Sequence, residues 1–531
     1  MKTSDDYTLA DFLAEAKMPG PYGFCEKIKL SMVPRAHQVV GLNRMLANSR
    51  FGLFDDPGTG KTFPLQAKAA YLASQGMKTM VLMPPILLGQ YAQTLQESFD
   101  SPERFISWHV LQESPAKREE LYKQWDQEGW PDLLLLTYEL FTHITKLRKG
   151  EKRRNWLAWK LRETYTVVDC DEAHALCGAT TDKHETLQWH LGDESESMLT
   201  LATGTPMPNN PLNAYGLIHF LQPKAYKDFN QFARLHGVYE TIHLKEPIIT
   251  KKGKEIRTRD ILSGYQKLDE IRRHLYARGR RVIKEQVLSL KEPQIIEVPV
   301  NLSQEHMAVY KKLERERIIE LDGEIIAGGL QAQQVRQGLL RIVTNPEAFC
   351  PEGTKIQNNV VGQIKNIIQT NNNALPTDEG FPNKIIIFCN LRATARFLAE
   401  KLQDYGAEIL NGETSNKEKV RQKFLTDPAC RVLVANPESA GVGLNFQHIS
   451  CVAIFAEPTS VPGEFKQAME RIWRSGQEWV CLVYILRAIG TIAPMATRLM
   501  LEKAEDVNKV NRDQVLFSTY LNSVDRGRRR G

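Results

Sequence analysis

The chain has 531 residues, 42% of them apolar and 25% charged, with a formal net charge of +6. That length supports several domain-sized cores, and the composition excludes a disordered, collagen-like or disulfide-stapled protein. No window is apolar for the length of a membrane span, no signal-peptide core opens the chain, and the eight cysteines form no CxxC pair.

Residues 1–30 read as a short helix followed by a Pro/Gly break at 19–23. The segment MVPRAHQVVGLNRML, from 32, carries Gln38, whose amide can donate and accept at once, as an adenine edge requires. Residues 51–54 are an apolar run and residues 65–72 have helical apolar spacing; between them stands DDPGTGKT, 55–62. A strand, a glycine-rich turn and a helix start are what a phosphate cradle needs. Gly58 and Gly60 let successive backbone N–H groups converge on the β- and γ-phosphate oxygens, with Asp56, Pro57 and Thr59 completing the loop. The helix start adds partial positive charge, Lys61 a full one, and Thr62 a hydroxyl able to ligate Mg²⁺. The general pattern GxxxxGK[ST] has glycine where Asp55 stands, so this loop is a variant.

Further along, TMVLMPP (79–85) reads as an apolar strand stopped by two prolines, 87–99 as a helix, and DLLLLTYEL (132–140) as a buried parallel strand. A basic helix then leads to YTVVDCDEAH, 165–174. This alternation argues for a doubly wound α/β domain, in which ligands bind at the carboxyl ends of the strands. At such an end Asp171 would hold the metal, directly or through water, while Glu172 polarises an attacking water. The basic clusters at 146–154, 251–257, 272–284 and 526–530 each read as solvated helix faces or loops.

From these two anchors the remaining motifs resemble those of superfamily 2 helicases. LATGTPMPN (201–209), with Thr203, Gly204 and Thr205, resembles the motif that couples nucleotide state to nucleic-acid grip. KIIIFCN (384–390) resembles the strand opening a second RecA-like lobe. NGETS (411–415), with Thr414 and Ser415, and ESAGVGLNF (438–446), with Ser439 and Asn445, resemble the motifs that touch the nucleic-acid backbone; Gly443 is carried over to the nucleotide. QAMERIWRSGQ (467–477), opening at Gln467, resembles the sixth motif, whose Arg471 and Arg474 would enter the nucleotide cleft from the opposite lobe. Three apart on an expected helix, these arginines would share a face. The long stretch between TGTP and KIIIF narrows the branch. Its segments PLNAYGLIHFLQP (211–223), RGRRVIKEQVLSLKEP (278–293), NLSQEHMAVYKKL (301–313) and GLLRIVTNP (338–346) resemble the sucrose-non-fermenting (Snf-type) translocase ATPases in a compact bacterial or phage form. After DEAH, ALCGATTDKHETL departs from the Lys–Asn/Ser pair usual in that family.

The resemblance implies an α/β protein with two RecA-like, doubly wound parallel-sheet lobes and a mostly helical insertion between them. The expected division is an extension (1–30), a first lobe (31–223), the insertion (224–346), a second lobe (347–503) and a basic tail (504–531). It implies an ATP hydrolase that uses Mg²⁺ and translocates on duplex or branched DNA in preference to RNA. Remodelling of branches or forks, or displacement of bound protein, would be the output. Two other readings stay open: a strand-separating DNA or RNA helicase, which would need a wedge, and a nucleotide-gated nucleic-acid-binding scaffold with little turnover. Intact Lys61, Glu172, Arg471 and Arg474 speak against the scaffold. A cytoplasmic monomer, with reduced thiols and no membrane partner, is expected in a bacterium or an infected host.

Overall fold

The computed structural model describes residues 9–18, 26, 28–31, 33–146, 152–178, 181–192, 197–249, 255–288, 290–323, 338–351, 353–374, 384–437, 446–459 and 461–511. The chain divides into two compact units, residues 1–236 with 267–288, and residues 237–266 with 289–531.

The first unit is built on short apolar runs. β1 (Arg50–Leu53), β2 (Thr79–Met83), β3 (Trp108–Val110), β4 (Leu133–Thr137), β5 (Val167–Asp171) and β6 (Met198–Ala202) are strands in chain order. β1, β2 and β5 are buried along their whole length, the pattern of strands covered on both faces. After β6 the chain forms an antiparallel ribbon of β7 (Gly237–Ile249) and β8 (Glu255–Tyr265), which belongs to the second unit. It then returns to the first unit as β9 (Gly279–Arg280). The first sheet has the order β3-β4-β2-β5-β6-β1-β9, with every neighbouring pair parallel.

Three helices matter for what this sheet carries. α1 (Leu9–Glu15) buries Leu9, Phe12 and Leu13 in the first core, so the N-terminal segment is part of the first unit's packing. Phe12 stacks on Phe63 at 5.0 Å, and Phe63 on Phe99 at 5.5 Å. α2 (Ala36–Ala47) precedes β1. α3 (Thr62–Ser74) follows it and is buried continuously from Phe63 to Leu72. Within that buried run stands Lys68, which pairs with Asp169 of β5 and donates to Thr200 Oγ1 of β6 at 2.7 Å. All three side chains are shut off from solvent.

The second unit repeats the plan. β10 (Gln294–Val300), β11 (Ile385–Phe388), β12 (Glu408–Leu410), β13 (Val432–Ala435), β14 (Val452–Phe455) and β15 (Leu482–Ala488) form a sheet of order β10-β15-β14-β11-β13-β12. All its pairings are parallel. Its core gathers Ile385 and Ile387 of β11, Val432 and Val434, Val452 and Ile454, and the inner face of helix Asn359–Ala374.

Residues 224–346, expected to be mostly helical, hold β7 to β10 as well as helices Phe229–His236, Leu268–Ala277 and Gln304–Gly323. VYETIHL and IRTRDIL mix β-branched and aromatic residues with polar ones, a strand signal partly hidden by the basic run at 251–257. Among the described residues no helix is long and apolar enough to cross a membrane.

Breaking a buried ion pair strands a charge in a low-dielectric interior, whereas removing both partners does not. Lys68→Met or Asp169→Asn should each lower stability by about 3–5 kcal/mol. The double replacement Lys68→Met/Asp169→Leu should recover most of that loss, read as the midpoint of urea unfolding.

Candidate active site

β5, β6 and β1 are adjacent and parallel, and the chain leaves each at the same sheet edge. Residues 55–62 follow β1, Thr203–Thr205 follow β6, and Asp171 and Glu172 close β5. This is the edge at which open α/β sheets bind ligands. Gly58 and Gly60 turn the phosphate loop with φ of 80° and 85°, a region that a Cβ disfavours. Thr59 closes the turn on the Asp56 carbonyl through its N–H at 3.3 Å and its hydroxyl at 2.7 Å. The Lys61 ammonium donates to the carbonyls of Asp55 (2.8 Å) and Asp56 (3.2 Å), and Thr62 is the first residue of α3.

α2 braces this loop from behind. Gln38 is buried; its Nε2 donates to Gly60 O at 2.9 Å and its Oε1 accepts from Arg35 N at 2.8 Å. Both ends of the amide expected on adenine are thus bonded to protein. His37 Nε2 lies 2.9 Å from Thr59 O. Burial holds this imidazole below its ordinary pKa, so the neutral ring donates to that carbonyl.

The acid pair is anchored next to it. Asp171 Oδ1 accepts from Glu172 N at 3.0 Å, and Tyr138 Oη donates to Asp171 O at 2.8 Å. Glu172 sits at φ 52°, a left-handed conformation that costs a residue with a Cβ roughly 1–3 kcal/mol. That turn aims its carboxylate at His174, with Oε2 at 3.2 Å from Nδ1. The same Nδ1 lies 3.2 Å from Thr203 Oγ1 and 3.5 Å from Thr205 Oγ1. Thr203 N in turn donates to Leu53 O at 3.1 Å. A Cβ on Gly204 would stand 2.1 Å from Pro57 Cδ, so only glycine lets this turn lie against the phosphate loop. Acid pair, TGTP turn and phosphate loop therefore form one bonded assembly. The Asp171 carboxylate and Thr62 hydroxyl are hard oxygen donors of the type Mg²⁺ takes.

Sequence reasoning missed two arginines. Arg280 and Arg281, read within a solvated basic cluster, lie against the phosphate loop, the first buried and the second half-buried: Arg280 pairs with Asp55, and Arg281 Nη2 lies 2.9 Å from Asp56 Oδ1. The available signal was the match of an Asp–Asp step with an Arg–Arg step. Nothing in the local pattern of either segment joins them.

The second unit carries the other expected residues. Gln467 is buried on helix Pro462–Met469. Arg471 is also buried and donates through Nε to Gln467 O at 3.0 Å. The expectation of one helix through both arginines is corrected: the helix ends at Met469, and Arg471 and Arg474 lie in the turns after it. Gln477 Nε2 donates to Ile472 O and Ser450 O, both at 3.0 Å, and buried Trp473 donates to Lys291 O at 2.9 Å. These bonds fold the chain back instead of extending the helix. Burial, then the Arg471 charge, brings the Arg474 guanidinium down to about 10, with Glu470 opposing. Thr414 spends its hydroxyl on Ile409 O (3.1 Å) and Asn411 N (3.0 Å), while Ser415 is exposed. Ser439, Gly443 and Asn445 lie outside the described residues.

A phosphate loop, a strand-end acid pair and a Thr-Gly-Thr turn on one parallel sheet, with a second parallel-sheet unit after it, define a P-loop ATPase of two RecA-like lobes. The chain matches the SNF2-related domain over residues 37–353 and the helicase conserved C-terminal domain over residues 365–476. It belongs to the SNF2-related family and is an ATP hydrolase of the helicase type. It is similar to the uncharacterized ATP-dependent helicase YqhH of Bacillus subtilis, at 23% identity over 93% of this chain and 83% of that one. Identity is also 23% to the TATA-binding protein-associated factor MOT1 of Saccharomyces cerevisiae, over 91% of this chain and 28% of that one. The same identity holds to the DNA repair and recombination protein RAD54-like of Mus musculus, over 68% and 48%. The chain thus spans less than half the length of these two eukaryotic relatives. A Sulfolobus solfataricus SWI2/SNF2 ATPase core in complex with dsDNA aligns over 91% of this chain and 96% of that one, at 19% identity and a TM-score of 0.37.

Burial first, and the neighbouring Glu172 second, push the Asp171 carboxyl up to about 7, with Lys61 working the other way. A carboxyl raised in the folded state binds its proton more tightly there than in the unfolded chain. Its contribution to stability is full below its unfolded value and is lost as pH rises to about 7. In chelator without nucleotide, Asp171→Asn should melt like the wild type near about pH 4 and above it near about pH 8. Differential scanning calorimetry across that range checks the sign.

Proposed function

We propose that this chain couples ATP hydrolysis at the first unit's sheet edge to translocation on double-stranded DNA. The observation that carries this is the bonded assembly of phosphate loop, acid pair and TGTP turn. In it, a change at the phosphate is felt directly at Thr203 and Thr205. Lys61 and Thr62 hold the phosphates, with Gly58, Thr59 and Gly60 lining them, Gly443 serving the nucleotide, and Gln38 bracing the loop through its bond to Gly60 O. Asp171 and Thr62 hold Mg²⁺, which offsets phosphate charge when bound. Glu172 accepts the proton of the attacking water, and His174, 3.2 Å away, carries that event to the TGTP turn. Arg471 and Arg474 offer guanidinium charge to the phosphates in the engaged state. Desolvation makes that charge more effective than it would be in water.

Thr414, Ser415, Ser439, Asn445 and Gln467 serve the nucleic acid, by family resemblance. Contacts of this kind go to the phosphate backbone and carry no sequence information. DNA is favoured over RNA by a relative named for DNA repair and recombination. Branched or forked DNA as preferred substrate, with displacement of bound protein as output, completes the proposal. A strand-separating activity is the second reading. It is favoured by the β7–β8 ribbon, which exposes Val238, Tyr239, Ile242 and Ile261, the kind of element a wedge requires.

Steady-state ATPase assays with no polymer, single-stranded, duplex and forked DNA, and RNA, test both readings. Duplex or forked DNA should stimulate turnover most. Glu172→Gln should lose about 10²–10⁴-fold of it, and Lys61→Ala should lose nucleotide binding as well. Stimulation confined to single strands or RNA, with strand displacement on forks, would select the helicase. Absence of turnover on every polymer would sink the motor.

A further inference from the structure

The phosphate loop opens with two adjacent carboxylates, Asp55 and Asp56, beside a site meant for a polyanion. Each is met by a guanidinium. Arg280 pairs with Asp55, at side-chain exposures of 8% and 3%; Arg281 pairs with Asp56 at 2.9 Å, at 7% and 3%. Arg281 also donates through Nη1 to Phe54 O at 3.2 Å and to Gly204 O at 3.4 Å, reaching the strand end and the TGTP turn together. The backbones run in register beneath these pairs. Phe54 N donates to Arg280 O and Asp56 N to Val282 O, both at 2.9 Å, and Lys284 N donates to Asp56 Oδ2 at 3.3 Å. The loop's entry is therefore assembled from segments 225 residues apart in the chain.

Lys61 makes this assembly matter for chemistry. Its ammonium is held by the carbonyls of Asp55 and Asp56, the residues whose side chains the arginines fix. We propose that Arg280 and Arg281 are positioning residues for the phosphate loop. They neutralise Asp55 and Asp56 and hold their backbone where it aims Lys61, without themselves touching phosphate. The inference deepens the reading of residues 55–62 as the ATP site and rests on it. Without its guanidinium, a buried carboxylate would repel the incoming phosphates, and it would drag the Lys61 acceptors out of place. Lysine is a poor substitute, because Arg281 spreads its donors over a carboxylate and two carbonyls in a planar fork.

A double-mutant cycle on Arg281 and Asp56 tests this, read as affinity for a non-hydrolysable ATP analogue by titration calorimetry, with kcat and KM alongside. Arg281→Ala should weaken analogue binding at least about tenfold and raise KM more than it lowers kcat, and adding Asp56→Ala should restore most of that affinity. Arg281→Lys should lie between the single variant and the wild type. Unchanged affinity in Arg281→Ala, or no recovery on adding Asp56→Ala, would overturn the proposal; the second result would mean that Arg281 bonds phosphate itself. Gly41→Ala probes Arg280 separately, because the added Cβ would stand 2.9 Å from Arg280 Nη2. Weaker analogue binding with an unchanged far-ultraviolet circular dichroism spectrum is expected, and wild-type affinity would remove Arg280 from the proposal. Lys61→Ala runs beside these: if it binds the analogue as the wild type does, the ATP-site reading fails, and not the clamp alone.

Discussion

The ion pair between Lys68 and Asp169 underlies the arrangement of the first unit. A lysine on the helix that starts at the phosphate loop is locked to the strand that ends in the acid pair, with Thr200 of the intervening strand as second acceptor. The distance from loop to acid pair is thereby set by groups that cannot relax into water. Asp171, two residues further along β5, is pushed up by burial and by Glu172, with Lys61 working against them. The same strand thus holds one carboxylate paired inside the core and one that accepts from Glu172 N at its end.

The same economy of charge governs the sheet edge. Four carboxylates stand near the site: Asp55, Asp56, Asp171 and Glu172. The first two are compensated by Arg280 and Arg281, while Glu172 is held by His174 in a left-handed turn. A site that must accept a triphosphate cannot leave such charges uncompensated, so a basic pair from elsewhere in the chain is a physical requirement of the Asp–Asp variant loop. Glycines fall where two turns must touch: Gly204 admits the Pro57 ring, and Gly60 admits the Gln38 amide at a positive φ.

In the second unit Arg471 is buried, with its Nε bonded to the Gln467 carbonyl, and Arg474 is half-buried. The turn that holds Arg471 and Arg474 depends on Gln477 and Trp473 bonding back to Ser450, Ile472 and Lys291. Ser450 and Lys291 are distant in sequence from the side chains that bond them, and helical spacing alone does not reveal them.

By itself the sequence determined what short-range physics writes into adjacent residues. The apolar runs at β2, β4 and β11, the glycine-rich turn before α3, and the acids closing β5 were all legible as a parallel α/β protein with a phosphate site. Each depends on local propensity, turn chemistry or a strand's own burial pattern. Tertiary structure alone decided the rest. The two-residue strand β9 has no apolar run to announce it and exists only by pairing with β1. Arg280 and Arg281 look like solvated charge until Asp55 and Asp56 are placed against them. Gln38, legible as an adenine reader, has its amide taken up by Arg35 and Gly60. The physical reason is common to all three. A charge or amide declares its function through its partner, and these partners lie where only the folded chain brings them.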